Sequence, residues 1–104
     1  KQENLMLIPS VVKPKLPALY STDGERDPMV YLKFFNPVGR GTWYLTEFNP
    51  EDNLAFGYAD IGSPEMGYFS ITEMEEIILP MGLKIERDLS FKPCRLSKVK
   101  EVMA

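Results

Sequence analysis

The chain has 104 residues, with 12 lysines and arginines against 15 aspartates and glutamates, a net charge of −3, 9 prolines, one cysteine and no histidine. That length supports a single core, so one domain over residues 1–104 is expected, and the missing histidine excludes imidazole catalysis and the ordinary zinc, haem and copper sites. Cys94 has no internal disulfide partner, and no run approaches the roughly 18 apolar residues of a membrane span or the pattern of a signal peptide, so a cytoplasmic protein without membrane contact is expected.

Pro9, Pro14 and Pro17 interrupt residues 8–19, which leaves room for at most a short or distorted helix. Residues 21–28, around Asp23-Gly24, read as a surface loop. Residues 29–35 (MVYLKFF) and 42–48 (TWYLTEF) are rich in β-branched and aromatic side chains and read as strands. The connector with Pro37, Gly39 and Gly41 suits a hairpin loop. Pro50 sets a type I turn, and residues 54–61 make a third strand. Its alternation puts Leu54, Phe56, Tyr58 and Asp60 on one face. Ala55, Gly57, Ala59 and Ile61 take the other, mostly small face, where a helix or another backbone can approach closely.

Gly62-Ser63-Pro64-Glu65 is a turn and residues 66–69 a short fourth strand. Ser70 then opens S-I-T-E, a capping box in which Ser70 bonds the Glu73 amide and Glu73 reaches back. A helix of about two turns follows, with Ile71, Met74, Ile77 and Ile78 on its inner face and Pro80 and Gly82 ending it. Residues 83–89 read as a fifth strand and residues 97–103 as a terminal helical turn. The expected class is α+β: an antiparallel meander of about five strands, one main short helix packed on one face, and short helical segments at the ends.

L-P-A-L-Y at residues 16–20, K-F-F-N-P at 33–37, T-W-Y-L-T-E-F at 42–48, G-Y-F-S at 67–70 and I-E-R-D-L at 85–89 occur together and in this order. Over residues 7–99 the chain resembles the bacterial family called domain of unknown function 2958. The resemblance implies a small protein of bacterial plasmids, phages or integrated mobile elements, sometimes beside antirestriction or single-strand DNA-binding genes. It brings no catalytic residue to transfer. Pro14 and Lys84 depart from the family pattern, and residues 1–5 precede the point where its members begin, which reads either as an extended start or as a disordered addition foreign to the natural chain.

Charge is unevenly spread. Between Gly41 and Gly82 lie eight acids, Glu47, Glu51, Asp52, Asp60, Glu65, Glu73, Glu75 and Glu76, with no lysine or arginine. These eight are the candidate acidic interaction face, a docking surface for a basic partner protein. The ends are basic, and Lys13, Lys15, Lys92, Arg95, Lys98 and Lys100 form a candidate patch for nucleic acid if the two ends converge. The strand aromatics Tyr31, Phe35, Trp43, Tyr44, Phe48, Phe56 and Tyr58 are possible stacking platforms, but most are needed for the core, and their segment lacks the cations that phosphates require. A metal-dependent enzyme would draw on Glu47, Asp60, Glu65, Glu86 and Asp88, whose spacing matches no metal or nuclease motif. Cys94 lacks an activating base, and no serine lies in a G-x-S-x-G elbow. The expected function is that of a non-enzymatic accessory protein of a mobile element, acting through protein contacts and needing no cofactor. Nucleic-acid binding is the first alternative and a carboxylate-based enzyme the second.

Overall fold

The computed structural model describes residues 6–103, so both readings of residues 1–5 fall outside the described residues. Its centre is a five-stranded antiparallel sheet in the order β5-β4-β3-β2-β6. The strands are β2 (Leu32–Phe35), β3 (Thr42–Asn49), β4 (Leu54–Asp60), β5 (Glu65–Ser70) and β6 (Glu86–Arg87). β1 (Met29–Val30) and β7 (Cys94–Arg95) form a separate two-stranded ladder. Helix α1 (Ile71–Glu76) follows β5, helix α2 (Leu96–Met103) closes the described chain, and 3-10 turns occupy Lys13–Lys15 and Pro80–Gly82. The class is α+β, as the alternation and turn chemistry predict, and no described helix is long and apolar enough to cross a membrane.

The sheet buries both faces against different parts of the chain. One face carries Phe34, Leu45, Phe48, Ala55 and Phe69, covered by Leu7 and Ile8 from the N-terminal segment, Ile71 and Met74 from α1, and Ile85. The other carries Tyr44 and Tyr58, covered by Leu96 and Val99 of α2 with Phe91 and Cys94. Residues 17–22 carry the chain across where β2 stops short of the end of β3. There Phe48 N donates to Pro17 O at 2.8 Å. Asp27 then anchors α2, accepting from Ser97 N at 2.8 Å and Ser97 Oγ at 2.7 Å. These bonds to Ser97 hold the Asp27 carboxyl below its ordinary range.

Four local expectations are corrected. Residues 29–35 are not one strand: Val30 pairs with Cys94 while Leu32 pairs with Leu45, because α2 and β7 must be held over the second face. The helix ends at Glu76, since Glu75 and Glu76 in its last turn, with no cation there, oppose its dipole and Pro80 forbids another turn. Ile77 and Ile78 are therefore exposed, Ile78 by 75 %. The capping box is half made: Ser70 Oγ accepts from Glu73 N at 3.1 Å, with no return bond among the described residues. Only Glu86–Arg87 of residues 83–89 is strand, paired to the short β2.

The small face of β4 meets the backbone of its neighbour. The register of β3 against β4 slips between Leu45 and Glu47, leaving Thr46 bulged with its hydroxyl donating to Phe56 O at 2.9 Å. A Cβ on Gly57 would lie 1.8 Å from Tyr44 O, so only glycine fits there. Trp43 packs, partly buried, against the first core.

Candidate functional site

The bulge changes what Glu47 does. Shifting the alternation by one residue sends its side chain inward on the α2 face, where it is 3 % exposed. Glu47 Oε1 accepts from Tyr20 N at 2.8 Å, and Oε2 accepts from Thr22 N at 2.9 Å and from the Thr22 hydroxyl. A buried carboxylate needs such donors. Glu47 is thus a clamp on the crossing segment and drops out of the acidic face.

What the clamp holds is Tyr20, at φ 70° in the left-handed region that a tyrosine rarely adopts. Its ring projects into solvent, 65 % exposed. Beside it stands Tyr68 of β5, 52 % exposed, with its ring 4.9 Å from that of Phe56. Hydrogen bonding to the Tyr20 phenol, then desolvation and the neighbouring charges of Tyr20, Asp23 and Glu47, push the Tyr68 phenol up to about 12. Met66, two residues before Tyr68 on the same face, is also exposed. Tyr20, Tyr68 and Met66 form an apolar and aromatic patch at the outer edge of the sheet. β5 pairs with β4 alone, and among the described residues no other backbone group bonds to it. Tyr20 lies in a proline-broken segment and Tyr68 in a short strand, so nothing in their sequence surroundings singles them out as surface neighbours.

The remaining predicted acids do not converge. Asp60 and Glu65 flank the β4-β5 turn, whereas Glu51 and Asp52 lie in the β3-β4 turn at the other end of β4. Glu73 and Glu76 are exposed on α1. Glu75 is engaged, accepting from Leu7 N at 2.9 Å and tying down the N-terminal segment. The eight acids therefore make no single face: Glu47 and Glu75 are engaged, Asp60 and Glu65 lie at one end of the β3-β4-β5 meander, and Glu51, Asp52 and α1 lie at the other, where Ile71 N donates to Asn53 O.

The basic residues are divided as well. Lys13 and Lys15 belong to the segment covering the first face, while Lys92, Arg95, Lys98 and Lys100 accompany α2 on the second. Arg95 is occupied by Glu25 at 3.6 Å and by Asp27 O at 3.2 Å. On the α2 face, however, cations do reach the central aromatics. Lys100 Nζ stands 5.0 Å from the Tyr58 ring centre and Lys33 Nζ 5.8 Å from that of Tyr44. Lys33 also pairs with Asp88 at 3.5 Å. The expected lack of cations near these strands is thus corrected, since β2 and α2 supply them from distant sequence. Desolvation, followed by nearby Asp60 and Asp88, raises the pKa of Tyr44.

Two clefts flank α2 on this face. One, of about 310 Å³, is walled by Phe56, Met66, Leu96 and Lys100, with Glu47 at its base. The other, of about 300 Å³, is mostly apolar, between Tyr44, Phe91, Cys94 and Val99, with Lys33 and Lys98 at its rim. Among the described residues, no three histidine, cysteine or carboxylate side chains come together as a metal site would need. Glu86 and Asp88 sit beyond β2, remote in sheet order from Glu65 on β5. What the geometry offers is a surface for contact: exposed rings and a methionine on a strand edge, braced from below by a buried carboxylate.

A family model described as a protein of unknown function (DUF2958) matches residues 9–102. No curated protein and no solved structure matches the chain.

Proposed function

The chain belongs to that DUF2958 family, and we propose that it is a non-enzymatic accessory protein that works by protein contact through the Tyr20–Tyr68–Met66 patch along β5. One observation carries this reading. The exposed Tyr20 is held in an unfavourable backbone conformation by the buried Glu47, next to an unpaired strand edge that also exposes Met66 and Tyr68. Strain of this kind persists where surrounding structure enforces it, and tyrosine and methionine are favoured in contact surfaces. The acids of the proposed docking face contribute as separate charges at the two ends of β4 and β5. A bacterial mobile element as the setting, the cytoplasm as the compartment and evasion of host defence as the use remain parts of the proposal, supported by the family resemblance.

The test is capture from bacterial lysate by three forms of the protein, each checked for folding by circular dichroism. Wild type and Glu51→Lys/Asp52→Lys are expected to retain the same specific partner, and Tyr20→Ser/Tyr68→Ser to lose it. Retention by the tyrosine variant, or no specific partner at all, contradicts the reading.

A second reading, nucleic-acid binding, draws on Lys33 and Lys100 standing over Tyr44 and Tyr58. It requires salt-dependent binding of single-stranded DNA that disappears in Lys98→Glu/Lys100→Glu. No binding at low salt removes it.

A further inference from the structure

Resting on the protein-contact reading, we propose that β5 accepts an extended basic peptide segment as a sixth strand of the sheet. Its apolar side chains lie over Met66 and Tyr68, and a lysine or arginine lies beside Glu65.

The backbone geometry makes the edge available. Phe56 O accepts from Thr46 on the β3 side, so Phe56 and its cross-strand partner Tyr68 form a pair without mutual hydrogen bonds. Tyr68 and, two residues away, Met66 therefore turn their N–H and C=O groups outward. No described backbone group satisfies them. Sheet edges are commonly guarded by proline, lysine, a bulge or brevity. β6, at the other edge, has only two residues, whereas β5 runs for six as E-M-G-Y-F-S with none of these devices. A Cβ placed on Gly67, at its middle, would meet nothing within 4 Å, so the sheet face is open beside this part of the edge. Strand addition supplies main-chain bonds from the edge and selectivity from alternate side chains.

The charges select the occupant. Glu65 is exposed at the start of β5. Beyond its other end Glu73 is exposed on the first turn of α1. The Asp23 carboxylate lies close enough to act on the Tyr68 phenol. Arg26 and Lys100 share with Met66 the lining of the cleft toward α2, where Asp23, Glu25 and Glu47 outnumber them. A basic segment complements this outer rim. A second copy would bring another set of the same acids against it.

The probe is a blocked six-residue peptide alternating lysine and valine, titrated into the full chain while backbone amides are followed by NMR. Met66 and Tyr68 amides are expected to shift and gain protection. A glutamate–valine peptide should bind about tenfold more weakly or not at all, since a like charge would then face Glu65. Met66→Pro removes an outward N–H without costing a ladder bond and should abolish binding; a fully N-methylated peptide should fail equally, whatever the folding of that variant. Equal binding of the two peptides, binding that survives N-methylation, or protection of β5 that rises with protein concentration alone each overturns the proposal, the last by seating a second copy on the edge. If the lysine–valine peptide fails while Tyr20→Ser/Tyr68→Ser still loses the lysate partner, strand addition falls and the contact reading stands. If the tyrosine variant keeps every partner, the contact reading itself falls.

Discussion

A carboxylate 3 % exposed is tolerated only when its oxygens are occupied, and those of Glu47 accept from Tyr20 N, Thr22 N and the Thr22 hydroxyl. Glu47→Ala leaves two part-buried amides without acceptors, so a loss of roughly 1–3 kcal/mol is expected in urea unfolding. It should also free Tyr20 from its left-handed conformation and weaken partner capture. The pair that Tyr20 makes with Tyr68 has its own signature. A folded-state pKa raised to about 12 means the fold favours the neutral Tyr68 phenol. The resulting stabilisation is complete below the ordinary tyrosine value of 10 and is lost as pH rises through about 12. Tyr20→Phe removes the hydrogen-bonding hydroxyl, and Tyr68 should then titrate closer to 10, followed by phenolate absorbance against a Tyr68→Phe reference. An unchanged titration would show that the two rings do not interact. None of this is legible locally, because Glu47 and its partners are separated by 25 to 27 residues.

Elements whose signals are local are the ones the sequence predicts well. β-branched and aromatic runs bounded by Pro37, Gly39, Gly41 and Pro50 locate β3 and its turns, and Ser70 marks the start of α1. Elements whose limits depend on distant partners are misread. Val30 turns to Cys94 because β7 is there to receive it, and α1 stops before Ile77 despite favourable spacing. The small face of β4 is read correctly as a site of close approach, and its sharpest point is Gly57 against Tyr44 O. Gly57→Ala forces backbone apart at the bulge and is expected to cost roughly 1–3 kcal/mol, measured by thermal or urea unfolding. Full stability in that variant would mean that the β3-β4 register is not the one described.

Over the whole molecule, charge segregation in sequence does not survive as charge segregation in space. The eight central acids are spread over one clamp, one N-terminal tether, the two opposite turns of the β3-β4-β5 meander and the exposed side of α1. The basic ends cover opposite faces of one sheet, which is why neither predicted surface forms as a unit. What the fold assembles instead is an unguarded strand edge with tyrosines and methionine beside it, a combination invisible until the chain closes. Amide hydrogen exchange of β5, in the free protein and in complex with the partner captured from lysate, tests this account most directly. Fast exchange is expected at Met66 and Tyr68 in the free protein, with strong slowing in the complex. Slowing confined to Glu51 and Asp52 or to α2, with β5 unchanged, would contradict it.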